Sequence, residues 1–147
     1  MTTNKKLLGA AGTAMLTLML STQLLAHGDV TPQTVDTAGL EALGEEWLDA
    51  NPYGTDHPDH AKAVEIGASA YNQNCARCHG LEGISGGIAP DLRMLEPGID
   101  GDEWFQYRVV NGAVRDGRVY MPKMADYLSQ EALWAIRAWL ETKYVEQ

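Results

Sequence analysis

The chain's two cysteines both fall in one pentapeptide, Cys75-Ala76-Arg77-Cys78-His79. Two thiols three positions apart with an imidazole directly after them is the spacing of covalent c-type haem attachment. The two-residue gap keeps both thioethers on one edge of the macrocycle, and His79 meets the iron from one face as proximal ligand. Two other uses of these residues compete. A structural zinc site wants four nitrogen or sulfur ligands, yet beyond the thiols the chain offers only His27, His57, His60 and His79 and no second cysteine pair. A thioredoxin-like redox pair opens a helix after a strand, whereas the residues before Cys75 read as helix.

What stands on the other face of the iron decides the chemistry, and the thioethers on offer after the motif are Met94, Met121 and Met124. A thioether is soft and neutral, favours ferrous iron and raises the potential relative to a second imidazole. Met121 lies in an irregular stretch and is followed by Pro122, whose ring restrains the local chain, whereas Met124 has less to hold it. Methionine is also common core filler, so the pattern alone leaves Met121 as the choice and Met124 as the fallback. An iron filled on both sides has no vacancy for substrate or oxygen, which points to a one-electron carrier and not an enzyme. The rivals are a haem enzyme with an open iron site and a haem subunit held permanently in a larger oxidoreductase.

These residues need a scaffold. Val64, Gly67, Ala68, Tyr71 and Cys75 recur at three- and four-residue intervals, so an amphipathic helix runs from about Asp59 through Asn74. Gly67 and Tyr71 share one face of it, where a residue without a side chain lets another helix cross closely. The partner is the apolar run Ala132 to Leu140, broken only by Arg137 and preceded by the N-cap residue Ser129. Such a helix must be buried on most sides. A third helix is signalled by Asp100 and Glu103 as a capping box ahead of Trp104, Phe105, Tyr107, Val109 and Val110, and Asn111-Gly112 ends it. The Gly-rich stretch 80–90 reads as loop, no strand pattern is evident, and the fold class is all-α.

At the front of the chain, Lys5 and Lys6 precede an apolar stretch that ends Leu24-Leu25-Ala26. This is the layout of a secretory signal, with residues 1–26 removed after Ala26; an uncleaved membrane anchor is the alternative. The domains expected are therefore a signal peptide over 1–26, an acidic extension over 27–59 and a haem domain over 60–147. The formal charge of −9 becomes about −11 once the two lysines leave with the signal, which argues against a nucleic-acid partner. Between His27 and Ala61 stand eight acids and no Lys or Arg. With Pro32, Pro52 and Pro58 this arm reads as irregular, with one helical turn near Glu41 to Ala50, and Trp47 and Tyr53 as anchors if it docks. A solvated acidic tail is the other reading. Between Trp104 and Met124 the balance reverses: Arg108, Arg115, Arg118 and Lys123 face only Asp116, a locally basic region suited to steering an acidic partner.

The pattern Gly67-x-x-x-Tyr71-x-x-x-Cys75-x-x-Cys78-His79, with Ala89-Pro90-Asp91-Leu92, Met121-Pro122 and Trp139, resembles class I cytochrome c over most of residues 60 to 145. The resemblance implies one covalently bound haem c, crossing terminal helices, Pro90 offering its carbonyl to His79, and Met121 as distal ligand. Residues 27–32, 71–80 and 112–122 further resemble the cytochrome c-550 group. That group implies a periplasmic carrier with a quinoprotein (pyrroloquinoline quinone) alcohol dehydrogenase as donor, a downstream cytochrome or terminal oxidase as acceptor, and no stable membrane insertion. The region from Arg93 to Gly101 is short, and a cysteine-bearing insertion found in some of that group is absent.

Overall fold

The computed structural model describes residues 32–146, so the expected signal segment 1–26 and residues 27–31 of the extension lie outside the described residues. Within them run α1 (His60–Asn74), the single turn α2 (Ala76–His79), α3 (Ile99–Asn111) and α4 (Gln130–Glu141), joined by loops and three short 3-10 turns. The core lies where α1 crosses α4. A Cβ on Gly67 would collide with the Ala135 carbonyl, so only glycine lets the two backbones approach this closely. One turn on, the Tyr71 ring lies against Trp139, centroids 4.5 Å apart, a contact worth about 0.5–1.5 kcal/mol beyond its buried area.

Ser129 caps α4 as expected, its Oγ accepting the Ala132 N–H at 3.3 Å. Gln130 and every residue from Ala132 to Leu140 are buried. Arg137 is among them, fully enclosed; it donates to Asp102 at 2.6 Å and to the Glu96 carbonyl at 2.7 Å, and pairs with Glu141 at 3.1 Å. An enclosed guanidinium is tolerable only when paired and hydrogen-bonded, and those partners come from α3, the loop before it and α4 itself.

Three expectations need correction. The capping box at Asp100 and Glu103 does not form: α3 starts after Gly98, whose φ of 77° turns the chain, with no side-chain cap. Asp100 still serves the helix N-terminus by charge, while Asp102 turns inward to Arg137. The all-α class holds, but the expectation that no strand forms does not, because β1 (Ala113–Arg115) pairs antiparallel with β2 (Arg118–Met121). Its turn is Asp116-Gly117, both at positive φ, 49° and 73°, the two-residue hairpin signal flanked by Val114 and Val119.

The helical turn near Glu41 to Ala50 is also absent. Backbone groups it would have used are taken by side chains of the helical core. Leu43 N–H donates to Glu131 and Leu48 N–H to Gln130, both at 2.8 Å; Gln130 Nε2 donates to the Glu46 carbonyl at 2.9 Å and Gln106 to the Leu48 carbonyl at 3.0 Å. The arm is therefore docked. Trp47 meets Trp134 edge-on, and Tyr53 is fully buried with its hydroxyl on the Glu41 carbonyl at 2.7 Å. Its acids Asp36, Glu41, Glu45, Glu46, Asp49 and Asp56 stay exposed.

Candidate haem-binding site

Cys75 N–H donates to the Tyr71 carbonyl at 2.8 Å, and Cys78 and His79 N–H both return to the Cys75 carbonyl. The pentapeptide is thus a helical turn hung from the end of α1, which puts two thiols three residues apart on one side. Cys75 is half-buried and Cys78 exposed. Burial, with Cys78 nearby as the lesser cause, pushes the Cys75 thiol up to about 12. That is the opposite of what a redox-active pair needs, and helix, not strand, leads into it. No group of three or more His, Cys, Asp or Glu is clustered to hold a metal among the described residues, so the zinc reading has no geometry either.

His79 ends α2, and its Nδ1 lies 2.9 Å from the Pro90 carbonyl. A carbonyl only accepts, so Nδ1 carries the proton and Nε2 keeps the lone pair a metal requires. The structure thus brings His79 and Pro90 together. The loop between them is held at several points that spacing did not reveal. Tyr71 hydroxyl donates to the Gly80 carbonyl at 2.7 Å, and Gly80, at φ 80°, has no room for a Cβ against the Ile84 carbonyl. Ser85 hydroxyl donates to the Ala89 carbonyl at 2.6 Å, and the Asp91 carboxylate receives Ser85 N–H, Arg93 N–H and the Arg93 guanidinium. These bonds, the Arg93 side chain foremost, hold the Asp91 carboxyl down at about 2. Asp91-x-Arg93 was the available signal, an acid able to cap the next turn and clasp an arginine two residues on.

Met121 ends β2 and is half-buried, packed against the core cluster; Met124 is 5% exposed and a member of that cluster. Gly112 shapes the approach to Met121: at φ 66° it ends α3, and a Cβ there would come within 2.5 Å of the Met121 carbonyl oxygen and 3.1 Å of the Pro122 carbonyl carbon. Around the site Leu81, Ile84, Ile88 and Met94 stand exposed. A fringe of bare apolar side chains on a loop is what a flat apolar macrocycle would cover, so the donor set and its surroundings fit a haem.

A paired thiol turn, a carbonyl-oriented imidazole and a crossing helix pair define a c-type cytochrome. The family described as "Cytochrome C oxidase, cbb3-type, subunit III" matches residues 62–140, and the chain belongs to this family of cytochrome c domains. It is 71% identical to cytochrome c550 of Pseudomonas aeruginosa over 130 residues, 88% of this chain and 90% of that one. It is also 37% identical over 78 residues to quinohemoprotein alcohol dehydrogenase ADH-IIG of Pseudomonas putida, and 35% over 83 residues to ADH IIB, spanning 10% and 11% of those chains. No solved structure matches. The protein is accordingly a single-haem c-type electron carrier with covalently bound haem c, not an enzyme. No helix among the described residues is long and apolar enough to cross a membrane.

Proposed function

We propose that the protein is a periplasmic shuttle that takes single electrons from a pyrroloquinoline-quinone-dependent alcohol dehydrogenase and passes them towards the respiratory chain, through a downstream cytochrome or terminal oxidase. Cys75 and Cys78 would tether the haem, and His79 and Met121 would hold its iron. The observation that carries the site assignment is the bond from His79 Nδ1 to the Pro90 carbonyl. It fixes the imidazole plane, holds the proton at Nδ1 and raises the basicity of Nε2. Met124 is committed to the core, which favours Met121 as the thioether. The haem supplies one iron that alternates between ferric and ferrous states. The chain's part would be to hold that iron with His79 and Met121 alone, so that neither oxygen nor substrate competes.

The donor assignment is supported by the two quinohemoprotein alcohol dehydrogenases, each of which contains a segment resembling this chain within a much longer one. Purified holoprotein mixed with a quinoprotein alcohol dehydrogenase and ethanol should be reduced in stopped flow at a rate proportional to dehydrogenase. Absence of reduction by any such enzyme removes the donor assignment. For the ligands, Met121→Ala should abolish the weak far-red band of the oxidised protein while Met124→Leu keeps it, and the reverse result transfers the role to Met124.

A further inference from the structure

The short tail beyond α4 holds the site segment at both of its ends. Thr142 closes the helix, and next to it Lys143 Nζ pairs with the Glu82 carboxylate at 2.7 Å while lying 5.1 Å from the Trp139 ring centroid. Val145 N–H donates to the Arg93 carbonyl at 3.0 Å, and between these two the Tyr144 hydroxyl donates to Glu96 at 3.4 Å. Glu82 stands three positions after His79, and Arg93 three after Pro90. The tail therefore grips the chain just beyond each member of the pair whose bond orients the imidazole.

Both grips fall where the loop needs holding. Glu82 sits at φ 57°, one of two non-glycine residues at positive φ among the described residues, between Gly80 and Gly83 at 80° and 78°. A residue with a side chain keeps such a backbone only where its surroundings hold it there. A Cβ on Gly83 would come within 3.2 Å of Arg93 Cγ and 3.7 Å of Leu140 Cδ2, so the start and end of the loop lie against each other and against α4. Arg93 clasps Asp91 through its N–H and guanidinium, and Asp91 follows Pro90 directly. Arg93 is held in turn, from outside its own segment, by Val145.

We infer that residues 143–145 are a latch whose bonds to Glu82 and Arg93 keep the Pro90 carbonyl on His79 Nδ1, so that Lys143 and Val145 are positioning residues for the proximal ligand. The link from latch to potential rests on the reading of His79 as a ligand of the haem iron. An imidazole whose Nδ1 proton is held by a carbonyl donates more strongly through Nε2 and so favours ferric iron, and hydrogen bonds of this kind are among the levers on potential. Opening the latch raises the potential.

Two readouts on the holoprotein test it: exchange of the His79 Nδ1 proton, followed by NMR in the ferrous state, and the reduction potential. Val145→Pro removes the N–H without changing charge. It should speed the exchange about fivefold and raise the ferrous-to-ferric ratio at a fixed ambient potential about twofold. Val145→Ala keeps the N–H and should leave both unchanged. Exchange in Val145→Pro equal to that of the wild type, or quickened equally by Val145→Ala, overturns the latch.

Lys143→Gln and Glu82→Gln break the ion pair from either side, and each should speed the exchange about twofold. Charge alone would move their potentials in opposite directions, since losing a cation lowers the potential and losing an anion raises it, whereas release of the latch raises both. Lys143→Arg, which keeps the pair, should keep the wild-type values. Opposite shifts in the two variants, with exchange unmoved, overturn the part assigned to Lys143. If exchange quickens in Val145→Pro while its potential stays put, the latch stands and the axial role of His79 fails.

Discussion

The arm over residues 32–59 and the site segment over residues 80–98 are both rich in Gly and Pro and almost without regular structure, yet they are secured in opposite ways. Beside bonds of its own, such as Glu41 N–H to Asp59, the arm's backbone is satisfied from outside by side chains of the helical core, Gln130, Glu131, Asp102 and Gln106. The site segment is satisfied largely from within, by Ser85, Asp91 and Arg93 clasping their own neighbourhood. Buried or half-buried backbone must find partners either way. The difference lies in what each must hold still. The arm covers a surface and needs only to stay down, whereas the site segment must hold one carbonyl, that of Pro90, at bonding distance from one ring nitrogen.

Arg137 is where the two systems meet, since Asp102 also receives the arm's Asn51 N–H at 2.8 Å and the Glu96 carbonyl belongs to the site segment. Arg137→Ala should therefore loosen both at once, costing about 3–5 kcal/mol because Asp102 is left buried and unpaired. Denaturant melts followed by haem absorbance and by arm proteolysis should shift together. Separate shifts would show that the two regions do not share this anchor.

Gly112→Ala should act on the ligand side alone. Forcing a Cβ against the Met121-Pro122 backbone at a positive φ costs about 1–3 kcal/mol and should weaken the far-red band of the oxidised protein without exposing the arm to protease. Gln130→Ala is its mirror. It removes the partners of Leu48 N–H and of the Glu46 carbonyl, about 1–2 kcal/mol in all, and should speed cleavage between residues 40 and 50 while leaving the spectrum unchanged. Loss of the far-red band in Gln130→Ala would collapse the distinction between the regions.

The smallest effect belongs to Asp91. Its carboxyl is held below the usual carboxylate value, so it contributes stability above the unfolded-state value of 3.8 that is lost as pH falls towards about 2. Asp91→Asn should therefore lower the melting temperature modestly at neutral pH and converge on the wild type near pH 2. An unchanged difference across that window would mean that the charge of Asp91 contributes nothing to holding the segment.

The same contrast explains what could be read in the sequence. The crossing of α1 and α4 was legible because Gly67, Tyr71 and the apolar run from Ala132 to Leu140 repeat at helical period, and the haem turn because its chemistry fixes its spacing. The arm's docking was not, since Gln130 and Glu131 look like ordinary polar residues at a helix start until the chain 80-odd residues earlier is laid against them. Arg137 read as an interruption for the same reason: a buried charge declares itself only through its partners. The hairpin was missed although Asp116-Gly117 announces it, because strands of three and four residues are too short for alternation to register.

The arm's attachment also has a consequence in time. Leu43 and Leu48 are tied to residues 88 and 82 positions later, so a part of the chain made well before α4 is among the last to settle. Until α4 has been synthesised and delivered, the strap has nothing to close upon. During that interval the thiols of the attachment turn belong to an unfinished fold, open to whatever machinery must reach them before the molecule locks shut.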